Sequence, residues 1–208
     1  MKTMTVTLAA LCLLLGVSLQ AAAPASDQRV SQERKVSDFH RIELSTVAEV
    51  IFTQSDRCTF RIEGEAELVN DHISQVDAGT LVVKMRKEKK KVKEGVKIFL
   101  TAPRLDFIEF SGVGTLHIDQ PLQSDQFRLE VEGVGKVYIR DLKCKQCTVD
   151  VEGVGKADIH VECERLRARL EGIGSITLSG RADYATIERE GIGSVDTSRL
   201  KVLQKNKD

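Results

Sequence analysis

The chain has 208 residues with 31 basic and 31 acidic side chains, so its formal net charge is zero. Such a balance provides no overall electrostatic attraction for nucleic acid or for acidic membranes. The chain has no Trp and only 4% aromatic residues, which excludes the ring platforms that stack on nucleic-acid bases and disfavours a sugar cleft lined with aromatic rings.

The N-terminus has the pattern of a secretory signal peptide. Lys2 supplies a positive charge, residues 8–19 are apolar, and Ala21–Ala23 form an A-x-A cleavage site. The apolar stretch is short for a membrane span, so we expect residues 1–23 to be cleaved and no transmembrane span to remain. The predicted location is extracytoplasmic: the periplasm, the cell surface or the medium. Residues 24–34 are polar and predict a flexible leader.

A β-rich N-terminal region is expected over residues 35–101. Apolar and polar residues alternate over 39–44 and 59–63, which predicts half-buried strands. Apolar residues at helical spacing over 65–76 predict a short helix or helical turn.

Two further apolar segments, 81–85 and 96–100, resemble a strand pair joined by the basic segment 86–95. The basic segment is interpreted as a solvated loop that keeps a sheet edge from pairing with other chains. Contact with an anionic polymer is the alternative for the same residues.

From residue 102 to 208 the chain is repetitive. A Gly-apolar-Gly corner occurs five times, about every twenty residues. A period of this length indicates stacked supersecondary units that share one continuous core. The corners are Gly112-Val113-Gly114, Gly133-Val134-Gly135, Gly153-Val154-Gly155, Gly172-Ile173-Gly174 and Gly191-Ile192-Gly193.

Apolar residues alternate with polar ones on both sides of each corner. This alternation predicts two strands that meet at a bend, with a third short side marked by a further apolar residue such as Leu122 or Leu142. The pattern predicts an all-β fold, a parallel β-helix of about five coils of roughly 20 residues with a β-rich N-terminal cap. An antiparallel meander is the competing topology, but it would need turn residues at both ends of every strand. The predicted core positions before the corners are Phe127, Leu129, Val131, Cys147, Val149, Val151, Leu166, Ala168 and Leu170.

These residues carry a family resemblance. The strand-rich opening, the segments 79–83 and 100–105, and the repeated Gly-x-Gly corners resemble the putative auto-transporter adhesin, head GIN domain family. The resemblance implies a right-handed parallel β-helix, a secreted bacterial protein and an adhesin-like role without catalytic residues. That family commonly has Ser-Gly-Ser-Gly at its corners, whereas four corners of this chain read Glu-Gly-Val/Ile-Gly.

The corners are also the candidate binding site. If their middle residues point outward, they form an apolar stripe flanked by glutamates on one side and by Lys136 and Lys156 on the other. Such a stripe would be a contact surface for a partner chain or a second copy. If the middle residues point inward, they fill the core. The candidate residues are Glu132, Val134, Glu152, Val154, Glu171, Ile173, Glu190 and Ile192.

No metal or cofactor is predicted. The glutamates of the corners could attract calcium, but the Asp-rich glycine nonapeptide of calcium-binding β-rolls is missing from the sequence. Cys144 and Cys163 occupy equivalent positions of adjacent coils, which predicts a disulfide in an oxidising compartment. Cys147 falls at a core position.

Catalysis has little support in the sequence. The histidines are scattered, and a row of outward positions containing His117, Tyr138, Asp158 and Asp196 is a conceivable site that solvated surface residues explain equally well. We therefore expect a non-enzymatic binding protein of the cell envelope. Its partner would be a cell-surface protein, a glycan or a second copy, and not nucleic acid. A structural, self-assembling module and a polysaccharide-active enzyme are the alternatives.

Overall fold

The computed structural model describes residues 28–86 and 94–204. The predicted signal peptide and most of the basic segment 86–95 lie outside these ranges. Within these ranges, one short helix, α1 (Ala66–Asp71), accompanies a single sheet of fourteen strands. The strands are β1 (Arg29–Arg34), β2 (Arg41–Ser45), β3 (Val47–Gln54), β4 (Thr59–Glu65), β5 (His72–Asp77), β6 (Thr80–Met85), β7 (Val96–Ala102), β8 (Phe107–Phe110), β9 (Val113–Ile118), β10 (Leu122–Val131), β11 (Val134–Val151), β12 (Val154–Leu170), β13 (Ile173–Arg189) and β14 (Ile192–Gln204).

The C-terminal strands stack in parallel. β11 pairs in parallel with β9, β10 and β12, and β13 pairs in parallel with β12 and β14. The register places equivalent corner residues side by side, so that Val134 lies between Val113 and Val154. The predicted all-β parallel β-helix of about five turns is confirmed, and the antiparallel meander is wrong for this region.

The N-terminal region contributes the first strands of the same stack. β2 pairs in parallel with β6 and β8, and β3 pairs in parallel with β7 and β9. The antiparallel strands β1, β4 and β5 lie at the outer edges. The expected pairing of segments 81–85 and 96–100 is wrong. Strand β6 pairs with β2 on one side of the stack, whereas β7 pairs with β3 on another side.

Two further local expectations need correction. The leader predicted over 24–34 is partly ordered, since residues 29–34 form β1 against β4. The Arg34 guanidinium holds this strand in place by donating hydrogen bonds to the carbonyl oxygens of Val69 (2.5 Å) and His72 (2.8 Å). The helix predicted over 65–76 ends at Asp71, because the following residues alternate and pair with β6 as β5.

The core consists of apolar columns that run along the stack. The alternating residues on either side of each corner are buried, including Phe127, Leu129, Val149 and Ala168. One contiguous cluster contains both these residues and N-terminal ones such as Phe52. Burial decreases at the C-terminal coil, where Arg189 interrupts the apolar pattern and Ile187 is 38% exposed.

Candidate functional site

The middle residues of the five corners point into solvent. Their exposed fractions are 48% for Val113, 54% for Val134, 51% for Val154, 56% for Ile173 and 77% for Ile192. These five residues, here called the corner stripe, lie side by side in the parallel register. They therefore do not fill the core, and they form a straight row of exposed β-branched side chains.

The glycines explain why the stripe faces outward. A Cβ added to Gly153 would lie 2.1 Å from the carbonyl oxygen of Gly133, and one added to Gly133 would lie 2.0 Å from that of Gly112. No side chain fits between the coils at these positions, so successive coils approach through bare backbone. The Val154 amide donates a hydrogen bond to the Gly133 carbonyl oxygen at 3.0 Å, and its side chain is left on the outer surface.

Charged residues of opposite sign flank the corner stripe. Glu132, Glu152, Glu171 and Glu190 precede the middle residues by two positions and occupy one column. Lys136 and Lys156 follow the middle residues by two positions and are directly opposite each other in the register. Arg169 contacts both Glu171 and Glu190, which offsets repulsion between these like charges.

A second acidic column lies beside the first. Glu43, Glu109, Glu130 and Asp150 follow one another on adjacent strands. Burial, followed by repulsion from Glu132, Glu43 and Glu130, raises the pKa of the Glu109 carboxyl. Arg128 lies between Glu130 and Asp150 and contacts both. The column is not evident from the sequence because half of it lies in the irregular N-terminal region. Counting back from each corner identifies only the C-terminal half.

The cysteines lie together across two coils. Cys144 is directly opposite Cys163 in the pairing of β11 with β12, and Cys147 is buried as expected. All three are thiols in this structure, as is Cys58. A hydrogen bond with Cys147 is the main cause that raises the pKa of Cys144, to about 12, and contact with Cys144 together with burial raises the pKa of Cys163. The disulfide between Cys144 and Cys163 stays a prediction.

The conceivable catalytic row does align. His117, Tyr138 and Asp158 are neighbours in the register, and the rings of His117 and Tyr138 stack with centroids 5.2 Å apart. Thr177 separates Asp158 from Asp196, which places the two carboxyl-bearing residues about 9.6 Å apart, two strand spacings. This is wider than the roughly 5 Å between the paired carboxylates of a retaining glycosidase and lies at the upper end of the roughly 6.5–9.5 Å of an inverting one. Among residues 28–86 and 94–204, no group of three His, Cys, Asp or Glu residues is suited to hold a metal ion.

The fold and the corner stripe together define a β-helical protein with an exposed apolar edge. Residues 38–206 match the family described as "Putative auto-transporter adhesin, head GIN domain", and the chain belongs to this family. No match was found among curated proteins. Within the described ranges, no helix has the length and apolar character that crossing a membrane requires.

Solved bacterial structures share the fold. A putative adhesin from Parabacteroides distasonis is 18% identical, with a TM-score of 0.77 over 87% of this chain and 78% of its own. A putative adhesin from Bacteroides fragilis is 23% identical, with a TM-score of 0.58 over 83% of this chain and 98% of its own. A structure described as a putative lipid binding protein, also from P. distasonis, is 21% identical, with a TM-score of 0.76 over 85% of this chain and 76% of its own.

Proposed function

We propose that this chain is a non-enzymatic, adhesin-like binding protein of the bacterial cell envelope, located outside the cytoplasm. The observation that carries the proposal is the corner stripe, five exposed Val and Ile side chains in one straight row. Contiguous exposed apolar patches mark sites of interaction more often than chance, because water contact with them is unfavourable. Family membership supports an adhesin-like role and an extracytoplasmic location.

The contact role of the stripe is tested by the double variant Val134→Ser, Val154→Ser. Both side chains are about half exposed, so we expect the melting temperature to change little. Binding to immobilised envelope proteins should fall at least tenfold, because the substitutions remove the apolar contact area at the centre of the stripe. Leu203→Ser is the matched control, since Leu203 is 45% exposed but lies outside the stripe.

Two results would contradict the proposal. A large loss of stability with unchanged binding would show that Val134 and Val154 act in folding and not in contact. Release of reducing or unsaturated sugar ends from polysaccharides incubated with the purified protein would show that the protein is an enzyme.

Self-assembly is the second candidate function, and the charges that flank the corner stripe favour it. Suppose that two copies meet stripe to stripe, related by a two-fold axis parallel to the stack. The Glu132 and Glu152 column of one copy then lies beside the Lys136 and Lys156 column of the other, at the same level. The antiparallel arrangement would instead place glutamates against glutamates, which repel. The stripe is therefore suited to a side-by-side dimer whose two stacks run in the same direction.

A further inference from the structure

A polar groove runs along the stack, on the side of the β-helix formed by the strand segments that precede the corners in sequence. Two adjoining cavities of about 950 and 540 Å³ form it, and they share Gln146 and Thr148. The groove extends over β2, β8, β10, β11, β12 and β13, which are adjacent in that order. Six strands at a spacing of about 4.8 Å give it a length of roughly 24 Å.

Two columns of outward side chains line the groove. One column follows the register Arg41, Phe107, Arg128, Thr148, Arg167 and Thr186. The neighbouring column contains Gln126, Gln146, Arg165 and Tyr184. Guanidinium, amide and hydroxyl groups are hydrogen-bonding groups of the kind that recognise hydroxyls and carboxylates.

Most of the cations in the groove are already oriented by carboxylates. Arg104 contacts Asp106, Arg128 contacts Glu130 and Asp150, and Arg167 contacts Glu188. These contacts fix the guanidinium planes. Among the described residues, the contacts of Arg167 use only Nη2 and those of Arg128 use only Nε and Nη2. The other N–H groups of both side chains are therefore left for a ligand. The groove is therefore preorganised to donate hydrogen bonds.

Two guanidinium groups, one towards each end of the groove, are not neutralised in this way. Arg41 lies over the Phe107 ring with its guanidinium carbon 4.3 Å from the ring centroid, and Arg165 is exposed beside Tyr184. Within the described parts of the chain, neither forms an ion pair with a carboxylate. Stacking on a ring leaves the N–H edge of Arg41 available for a bidentate carboxylate contact.

We propose that this groove binds a linear acidic polysaccharide, a chain of sugars bearing carboxylates, which lies along the stack. Arg41 and Arg165 are four strands apart, about 19 Å at the usual strand spacing. One sugar cannot contact both, so the ligand is a polymer with acidic groups at intervals. Sugar hydroxyls donate to Asp106, Asp125 and Glu130, and Gln126, Gln146 and Thr148 bind the remaining polar atoms.

The same side chains disfavour nucleic acid. Asp106, Asp125 and Glu130 line the groove and would repel a backbone with a phosphate at every nucleotide. Tyr184 is 40% exposed and could stack on one ring, whereas Arg41 covers Phe107. A chain of sugars supplies hydroxyl donors to these carboxylates and needs no stacked rings, so it matches the groove better than a chain of phosphates and bases. The site is separate from the corner stripe and goes beyond the function proposed above.

The experiment measures binding of the purified protein to polygalacturonate, alginate and hyaluronate by biolayer interferometry. We expect the native protein to bind at least one of these uronate polymers, with affinity that falls as salt is raised. Arg41→Gln, Arg165→Gln should weaken binding at least tenfold, while the charge-matched control Arg57→Gln, Arg199→Gln, whose residues lie outside the groove, should leave it unchanged. A ten-sugar oligogalacturonide should compete and galacturonic acid should not.

Each contrary result overturns the proposal: no binding to any uronate polymer, equal competition by the monosaccharide, equal loss in the control variant, or tighter binding to oligo-dT than to the polysaccharides. Circular dichroism melts confirm that the variants are folded, and Arg165→Gln alone is used if the double variant unfolds. The Val134→Ser, Val154→Ser variant should retain uronate binding. The proposal for the groove and the proposal for the corner stripe are therefore tested independently.

Discussion

At the scale of single residues, the corner glycines are required by contact between coils more than by an unusual backbone conformation. Among the described corner glycines only Gly114 has a positive φ, 144°. At Gly153 the obstacle is the Gly133 carbonyl oxygen, 2.1 Å from where a Cβ would lie. The preceding coil leaves no room for a methyl group, because parallel strands stack at a fixed spacing of about 4.8 Å.

Replacement of one such glycine should therefore destabilise the whole stack. We expect Gly153→Ala to lower the free energy of unfolding by about 3 kcal/mol, since the backbone of two coils must separate to admit the methyl group. Urea unfolding followed by circular dichroism measures this. Ser175→Ala, at a partly exposed position near the next corner, is the control and should change stability by less than about 0.5 kcal/mol. A Gly153→Ala protein as stable as the native one would contradict the close approach.

At the scale of elements, the thiols of Cys144 on β11 and Cys163 on β12 lie opposite each other. The pKa of Cys144 is raised from its usual 9.0 to about 12, so the folded chain keeps this proton at pH values where an unfolded chain releases it. The stabilisation of the reduced protein is complete below pH 9 and is lost as the pH rises towards 12. We expect urea unfolding to show a loss of about 1 kcal/mol at pH 10.5, after a discount for partial exposure of the thiol.

Oxidation provides the matching test of the predicted disulfide. Protein secreted under oxidising conditions should contain one Cys144–Cys163 bridge by mass spectrometry, and the alkaline loss of stability should decrease because neither thiol remains to ionise. The Cys163→Ala variant cannot form the bridge and serves as the control. Four unmodified thiols in the secreted protein would refute the disulfide.

At the scale of the whole molecule, the corner stripe permits a parallel side-by-side dimer. A crosslink at the last residue of the stripe tests whether the two stacks run in the same direction. Ile192 is the last and most exposed residue of the stripe. In the parallel arrangement it meets Ile192 of the second copy, so Ile192→Cys should form a covalent dimer with a short bismaleimide. Leu203→Cys, exposed on the same strand but off the stripe, should not.

The antiparallel arrangement gives a different product. It would bring Ile192 near Val113 of the second copy, so that a mixture of Ile192→Cys and Val113→Cys proteins would cross-link only to each other. Crosslinking of this kind would contradict the parallel dimer. A monomer at all concentrations, by sedimentation, would exclude self-assembly and leave the contact role of the stripe towards other partners intact.

The sequence by itself determined the repeated part of the fold. Period-2 alternation around evenly spaced glycines specified which residues are buried, such as Leu129 and Val149, because every coil repeats the same local pattern against its neighbour. It did not specify the pairing of β6 and β7, since these strands join opposite sides of the stack and their partners are far along the chain.

The tertiary structure alone decided which side chains share a surface. Because Val134 is apolar, the sequence allows its side chain either a core or a surface position. Only the close contact of glycines between coils shows that it points outward. Arg41 and Arg165 are distant in sequence, yet the stack places them on one groove. A column along a β-helix contains one residue from each successive coil. The number of residues between equivalent positions of successive coils varies where the chain is irregular. Burial can thus be predicted from local periodicity, whereas the composition of a surface depends on the register between coils.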